Sequence, residues 1–460
     1  MRFQSLSTPN QLSLTEVPVH LRYPTQREVD AWCERYRTNE MVLIKFTARE
    51  TAHLEPGESV RLVHLAQGRA PAEPTFNLSQ NETGLFLTDS QSQISLPTFS
   101  IRPPQVAGTA TRSSSTKPGA EKFFETDSAI TAFWHLDDGS LVVGTKNGTL
   151  TQVLSDGRQK WSAKLEGPIH AIGSTPGLIV AGHGAAGLTA FNPNGQEQWT
   201  NKIVRDPCPW PWWELSTPAA IQVVGGMVNG EPFFAVGCGD IQLRCFDGKG
   251  VERWRWRYNE GVPGRVVITD VDGSGEPRIV VGGDILTDVS TCRILTPEGK
   301  QVAQMAVEGW TSMLTALAFG HTTNRRFIGC GANRGNNLHL FELEDGLWQR
   351  CWLKQPGGQV NGIAIFGDDD RVIVGTSQGF LLGYDFKGNP LWHQPFARGL
   401  SHLVKLDNGV LTVDASGGLS HVTLSGRVES RPPLPGPCSN VATTDQGIHF
   451  ACGLEIWRLL

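Results

Sequence analysis

From Ala129 onward, short apolar segments of strand length alternate with turns rich in glycine, and this alternation repeats along the chain. Each unit contains four such segments, and the second ends in an apolar-Gly-small pattern. The pattern occurs at Val143-Gly144-Thr145, Ala181-Gly182-His183, Val236-Gly237-Cys238, Val281-Gly282-Gly283, Ile328-Gly329-Cys330 and Val374-Gly375-Thr376. A period of about 38 to 55 residues predicts a chain built of repeated four-stranded units.

A second mark of the repeat is a turn glycine followed four residues later by tryptophan. It occurs at Gly157 and Trp161, Gly195 and Trp199, Gly250 and Trp254, and Gly388 and Trp392, with weaker copies at Gly299, Gly346 and Gly426. Glycine supplies the positive φ of a tight hairpin, and tryptophan offers a flat apolar surface to a neighbouring unit. One four-stranded sheet cannot bury both of its faces, so the units are expected to stack radially and close into a ring. The fold class is therefore all-β, a β-propeller.

Two segments connect this repeat to a known superfamily. Ala190-Phe-Asn-Pro-Asn-Gly-Gln-Glu-Gln-Trp199 and Gly383-Tyr-Asp-Phe-Lys-Gly-Asn-Pro-Leu-Trp392 resemble the tryptophan-docking repeat of PQQ-type, or quinoprotein-like, propellers. The resemblance covers roughly residues 125 to 460. It implies the β-propeller fold but no particular activity, because this fold carries both enzymes and scaffolds.

The number of blades follows from the units and from the end of the chain. Complete units begin near Ala129, Ile169, Ala219, Gly264, Met313, Val360 and Leu400. The remaining segment, Val441–Leu460, has room for three strands, and Phe123-Phe-Glu-Thr126 could supply the fourth and close the ring. Eight blades are therefore expected, with seven as the alternative.

The chain before the repeat is expected to form a small α+β appendage. Thr25-Gln-Arg-Glu28 is a capping box that opens a short helix through about Arg37, and Met41–Phe46 and Ser59–Leu65 have strand patterns. A segment rich in Ser, Thr, Pro and Gly follows and predicts a flexible linker. The expected organisation is an N-terminal domain at 1–100, a linker at 101–121 and the propeller at 122–460.

Composition and charge restrict the environment and the partners. The 52 glycines suit many tight turns, and a net charge of −5 gives no general attraction to nucleic acid or an anionic membrane. The polar segment Met1–Val17 lacks a signal-peptide pattern, and no apolar run reaches membrane-spanning length. The nine cysteines contain no Cys-x-x-Cys and are expected to be reduced and buried. A cytoplasmic protein that binds neither membranes nor nucleic acid is expected.

The candidate chemistry is limited to one acidic loop. Asp270, Asp272, Ser274 and Glu276 resemble the Asp-x-Asp-Gly loops that hold calcium in some propellers, although a hairpin turn also favours Asp and Gly. Enzymes of the quinoprotein family carry adjacent cysteines and a set of catalytic residues beside their cofactor, and this sequence matches neither. The expectation is a non-enzymatic protein with no catalytic residues and no resident cofactor, calcium on this loop being the alternative.

The strongest departure from the repeat is Cys208-Pro-Trp-Pro-Trp-Trp213, in the connection from the second blade to the third. Aromatic side chains of this kind are enriched at binding hot spots. The predicted partner-binding residues share one face of the ring: Trp210, Trp212, Trp213, Trp310, Asn333 and Arg334. Alternatively, the tryptophans plug the channel or cover an irregular blade. A further strand alternates arginine and tryptophan from Arg253 to Arg257, with the arginines expected on its exposed side.

The function expected from these features is a protein-protein interaction scaffold that holds its partner on the loop-bearing face. Fold analogy extends this to a component of a multi-protein bacterial regulatory or defence assembly. The alternative is a small-molecule or calcium-binding propeller with an activity in its central channel. An envelope assembly factor, resembling periplasmic scaffold propellers, is a third hypothesis, which the lack of an export-signal pattern opposes.

Overall fold

The computed structural model describes residues 2–5, 59–65, 75–81, 84–88, 93–96, 112–114, 119–205, 217–257, 262–286, 289–308, 314–332 and 336–460. The chain divides into two compact units, Met1–Ile101 and Arg102–Leu460. The described strands of the first unit form one antiparallel sheet in chain order: β1 (Arg2–Ser5), β2 (Ser59–Leu65), β3 (Thr75–Asn81), β4 (Gly84–Thr88) and β5 (Gln93–Leu96). The strand predicted at Ser59–Leu65 is confirmed. The predicted helix from Thr25 to Arg37 and the strand at Met41–Phe46 lie outside the described residues.

The described strands of the second unit form eight sheets, which are the blades of a propeller. Two strands precede the first complete blade: β6 (Arg112–Ser114) and β7 (Glu121–Glu125). Blade 1 contains β8 (Ile130–His135), β9 (Leu141–Thr145), β10 (Thr149–Val153) and β11 (Gln159–Lys164). Blade 2 contains β12 (Ile169–Thr175), β13 (Leu178–His183), β14 (Gly187–Phe191) and β15 (Glu197–Lys202). Blade 3 contains β16 (Ala220–Val228), β17 (Glu231–Cys238), β18 (Gln242–Asp247) and β19 (Glu252–Arg257).

The later blades repeat the same antiparallel order. Blade 4 contains β20 (Arg265–Thr269), β21 (Arg278–Leu286), β22 (Val289–Leu295) and β23 (Gln301–Glu308). Blade 5 contains β24 (Leu314–His321), β25 (Arg326–Ala332), β26 (Leu338–Glu344) and β27 (Leu347–Lys354). Blade 6 contains β28 (Val360–Phe366), β29 (Arg371–Thr376), β30 (Phe380–Tyr384) and β31 (Pro390–Pro395). Blade 7 contains β32 (Leu400–Leu406), β33 (Gly409–Asp414), β34 (Leu419–Thr423) and β35 (Val428–Arg431), and blade 8 contains β36 (Asn440–Thr444), β37 (Gly447–Cys452) and β38 (Glu455–Leu459).

The ring closes through the two ends of the propeller sequence. The first strand of each blade contacts the first strand of the next, and β36 contacts β8, so that eight blades surround one axis. Strand β7 completes blade 8 by antiparallel pairing with β38, with Phe124 opposite Ile456. The prediction of eight blades is confirmed, as is the role of the Phe123 segment in closing the ring. In addition, β6 lies parallel to β35 at the edge of blade 7, within the segment expected to be a linker.

Glycines in the second strands set how closely neighbouring blades approach. A Cβ on Gly144 would lie 2.5 Å from the Ile169 side chain at the start of the next blade, and a Cβ on Gly182 would lie 2.5 Å from Ala220 in the same way. Any larger residue would therefore push two blades apart. In blade 5 the glycine with this contact is Gly331, opposite Ala316, whereas the apolar-Gly-small pattern falls on Gly329.

Tryptophans on five of the eight outer strands join their blade to the next. Each indole ring lies against the turn glycine of the following blade, and its Nε1–H donates to the carbonyl two residues before that glycine. The indole donors and their acceptors are Trp161 to Pro193 (3.3 Å), Trp199 to Gly248 (2.9 Å), Trp254 to Pro297 (2.7 Å), Trp352 to Phe386 (3.0 Å) and Trp392 to Leu424 (2.8 Å). The prediction that tryptophan packs on the neighbouring blade is confirmed, since each ring contacts a turn glycine of that blade. These contacts join blades 1 to 4 and blades 5 to 7.

In blade 5 the docking tryptophan lies at a different distance from the turn glycine in the sequence, but it makes the same contact with the next blade. Its turn glycine, Gly346, has no tryptophan four residues later, so the sequence classes it as a weak copy. Its hairpin is longer, and Trp352 lies opposite Leu340, the same register as Trp199 opposite Ala190 in blade 2. Trp352 therefore docks on the Gly388 turn like its counterparts. The described residues contain strands and no helix, and hence no helix able to span a membrane.

Candidate interaction face

Antiparallel order places two kinds of segment on one side of the ring. These are the loops between second and third strands and the connections from each outer strand to the next blade; this side is called the connection face below. The connection from β11 to β12 covers only 165–168, whereas that from β15 to β16 covers 203–219. The longest interval between two consecutive strands of the propeller is therefore one that joins two blades.

The predicted partner-binding residues all lie outside the described residues. Trp210, Trp212 and Trp213 belong to the connection between β15 and β16, Trp310 to that between β23 and β24, and Asn333 and Arg334 to the loop between β25 and β26. Their role in binding stays a prediction.

A buried ion pair fixes the start of the long connection. Arg244 is fully buried and donates from both terminal nitrogens to the two carboxylate oxygens of Asp240, at 2.8 and 2.7 Å. The same guanidinium donates to the carbonyl of Val204 at 3.3 Å. Burial alone would lower the pKa of Arg244, but the hydrogen bonds and charge of Asp240 raise it above its usual value. Sequence reasoning missed this pair.

The loop that carries Asp240 is strained in the backbone. Ile241 adopts a φ of 60°, a left-handed conformation that β-branched residues rarely take. Its side chain is 1% exposed and packs in the core of blades 3 and 4. Such strain persists only where surrounding contacts impose it, and here the Asp240–Arg244 pair and the buried side chain do so. The base of the long connection is thus rigidly held.

The described part of the connection also exposes an apolar side chain. Val204 is 73% exposed, while its neighbour Ile203 is buried and donates its backbone N–H to Ala186. One residue anchors the chain on blade 2 and the next faces solvent. Exposed apolar side chains on a rigid support are suited to contact a partner.

The acidic loop predicted as a calcium site lies between β20 and β21, on the opposite side of the ring. Its carboxylates already accept hydrogen bonds: Asp270 from the Gly275 N–H at 3.1 Å, and Asp272 from the Arg278 Nε at 2.8 Å. Arg278 also donates to the Ser274 hydroxyl at 3.0 Å. Burial alone would raise the pKa of Asp272, but Ser274 and Arg278 hold it below its usual range. Within the described ranges, no group of three or more His, Cys, Asp or Glu side chains is arranged to hold a metal ion.

These contacts predict how the loop responds to calcium. Arg278 is already hydrogen-bonded to Asp272 and Ser274, so these side chains are not available as calcium ligands. The melting temperature of the chelator-treated protein is therefore expected to stay unchanged in millimolar calcium. Calorimetric scans with and without calcium measure this. A saturable rise that disappears in Asp272→Asn would establish the calcium site instead.

The strand with alternating arginine and tryptophan, β19, has the predicted orientation. Three arginines are exposed and two tryptophans are half-buried: Arg253, Arg255, Arg257, Trp254 and Trp256. Arg253 pairs with Asp247 and Arg255 with Glu252. These acidic neighbours offset the positive charge of the strand, which weakens any attraction to a polyanion.

The cysteines of the described residues form no disulfide bonds with one another. Six are buried and Cys351 is exposed; the buried ones are Cys238, Cys245, Cys292, Cys330, Cys438 and Cys452. Burial raises the pKa of Cys238 and of Cys245 to about 12. These two thiols are protonated at neutral pH and are therefore poor nucleophiles.

A ring of mostly polar residues surrounds the channel mouth at the connection face. In six blades the first strand has a β-bulge near its start, and the extra residues are Thr131, His170, Ile221, Thr315, Asn361 and Ser401. Arg265, at the start of β20, and Ser439, just before β36, stand at the same end of blades 4 and 8. These eight residues are called the channel-mouth ring.

Several members of the ring bind the next blade. The hydroxyls of Thr131 and Thr315 donate to the Ile169 and Val360 carbonyls, each at 2.6 Å, and the Asn361 amide donates to Leu400 at 2.8 Å. Sequence reasoning missed this ring. The signal was a polar residue between two apolar ones where a first strand begins, as in Ile130-Thr131-Ala132.

Comparisons with known proteins agree with this geometry. The family model described as outer membrane protein assembly factor BamB matches residues 108–255. That match spans less than half of the chain, so it does not assign the whole chain to the BamB family. No curated protein sequence is significantly similar to the chain.

Solved structures share the propeller at low sequence identity. BamB from Moraxella catarrhalis has a TM-score of 0.56 and 15% identity, covering 75% of this chain and 99% of that one. Sqt1 from Saccharomyces cerevisiae has a TM-score of 0.57 and 10% identity, covering 76% and 99%. The Dos1 propeller has a TM-score of 0.57 and 10% identity, covering 74% and 95%. With the tryptophan-docking repeat and the eight-bladed ring, the chain carries a propeller of the PQQ-type β-propeller superfamily, and no narrower member of that superfamily is identified.

Proposed function

We propose that this protein is a non-enzymatic scaffold that holds a protein partner on the connection face of its propeller. The observation that carries the proposal is the rigid base of the long connection, where the buried Asp240–Arg244 pair binds the carbonyl of Val204. A fixed support lowers the entropy lost when a loop binds a partner. The tryptophan-rich segment of 208–213 follows directly from this support.

The comparisons support the same proposal. BamB is described as an assembly factor, which is a role in protein complexes, and it shares this fold. We extend the proposal to a component of a multi-protein bacterial assembly with a regulatory or defence role. Low identity to all these structures leaves the partner to be found by experiment.

The proposal predicts that Trp212→Ala combined with Trp213→Ala releases the partner and leaves the melting temperature nearly unchanged. Interface tryptophans commonly contribute 2 kcal/mol or more, roughly a thirtyfold loss of affinity for each such residue. Affinity purification of the intact protein from its native host, followed by quantitative mass spectrometry, measures partner retention. Calorimetry measures stability.

A matched control removes exposed apolar side chains from the opposite side of the ring. Val302 and Leu347 lie beside the hairpins between third and fourth strands and are 51% and 66% exposed. Val302→Ala with Leu347→Ala is expected to retain the partner. A large fall in melting temperature for the tryptophan variant would place Trp212 and Trp213 in the core and contradict the proposal.

A further inference from the structure

Arg265 is a cation at the mouth of the channel. It begins the first strand of blade 4, and its Nε and one Nη2 hydrogen donate to the Thr315 carbonyl of blade 5, at 3.1 and 3.0 Å. Its side chain reaches solvent. The contact with blade 5 holds the guanidinium at the rim of the channel and leaves the Nη1 side of the group unused.

Among the described residues, no carboxylate forms an ion pair with Arg265 within 4 Å. The surrounding strands displace water from around Arg265, and this lowers the pKa of its guanidinium. Solvent still reaches part of the side chain. A guanidinium keeps its proton under all ordinary conditions, so this site is permanently cationic.

The other members of the channel-mouth ring carry no negative charge, and all but Ile221 are polar. Thr315, Asn361, Ser401 and Ser439 contribute hydroxyl and amide groups. His402 lies close enough to Arg265 to respond to its charge; burial first, and then this repulsion, lowers the His402 pKa. The imidazole is therefore neutral at pH 7, able to form a hydrogen bond without adding a second charge.

We propose that Arg265 binds a carboxylate that enters the channel from the connection face. Of the five N–H donors of a guanidinium, Thr315 takes two, on the Nε and Nη2 edge. The three that remain lie on the two Nη atoms, whose end-on fork matches the two oxygens of one carboxylate. A single cation among neutral groups suits a carboxylate better than a doubly charged phosphate. This site is independent of the scaffold proposal and of the tryptophan segment.

The proposal is tested with succinate as the probe and the intact, ¹⁵N-labelled protein. The Nε–H resonance of Arg265, assigned by its disappearance in Arg265→Gln, is expected to shift saturably in the millimolar range. Arg265→Lys keeps the charge but not the fork, and its succinate affinity is expected to fall by about tenfold, as measured by calorimetric titration.

A matched control uses Arg371, which lies at the opposite end of blade 6 and donates to the Asp370 carbonyl. Arg371→Gln is expected to leave succinate binding unchanged. An unsaturable shift, an equal response in Arg265→Gln, or an equal response of the Arg371 resonance would overturn the proposal. If Arg265→Gln misfolds, the loss of the same Nε–H resonance in Arg265→Lys assigns it instead.

A second part of the experiment identifies the molecule that supplies the carboxylate. Mass spectrometry of the small molecules released by denaturing the purified protein would show a bound metabolite. If none is released and Arg265→Gln loses the protein partner, the carboxylate belongs to an acidic residue of that partner. Both results are consistent with the site, and only the succinate titration can refute it.

Discussion

Replacing Asp240 with alanine is expected to lower the free energy of unfolding of the propeller by about 3–5 kcal/mol. Arg244 would then be a fully buried cation without its carboxylate, since Asp240 accepts from both terminal nitrogens. The attraction between the two charges repays their desolvation only while both are present. Of the ion pairs in the described residues, this pair has both side chains almost completely buried, at 0% and 1% exposure.

Urea unfolding followed by tryptophan fluorescence measures this effect. The double variant Asp240→Ala with Arg244→Met removes both charges and is expected to recover much of the lost stability. Asp156→Ala breaks the solvent-exposed pair with Arg158 and is expected to change stability little. If Asp240→Ala were as mild as Asp156→Ala, the ion pair would not hold the long connection.

Replacing Trp392 with alanine is expected to cost about 3–5 kcal/mol, the range of large-to-small changes in cores. The side chain is 5% exposed and packs among buried residues of blades 6 and 7. Its ring lies against Gly426, where a Cβ would come within 2.6 Å, and its Nε1–H donates to Leu424 at 2.8 Å. Alanine would leave a cavity at the boundary between two blades.

The conservative variant separates packing from hydrogen bonding. Trp392→Phe keeps an aromatic surface on Gly426 but loses the donor, which is expected to cost clearly less than alanine. Hydrogen exchange should show faster opening of β31 and β35 in Trp392→Ala than in the remote β13. Uniformly faster exchange in all blades would mean that the ring unfolds as one unit and that the docking contact has no local role.

For most blades, the sequence predicts the first residue of the blade to within about one residue. It can do so because the turn glycine and the docking tryptophan of each repeat lie close together in the chain. The sequence pattern does not mark two contact residues of blade 5. There, a longer hairpin moves the docking residue to Trp352, and the inter-blade glycine is Gly331. Both positions depend on register, which is set by the partner strand and by the next blade and therefore has no local signature.

The sequence alone determined the fold class, since it follows from a repeated local pattern. It also predicted eight blades, with seven as the alternative, and closure by the Phe123 segment. It also identified the tryptophan segment near Trp212 as a departure from that pattern. Only the tertiary structure decided which charges are paired. Asp240 and Arg244 are four residues apart, yet their burial depends on Val204 in the preceding blade. Among the described residues, Arg265 has no acidic partner within ion-pair distance, which depends on what the other blades place around the channel. Electrostatic energy depends on distances in space and on lost solvent, and a linear pattern records neither.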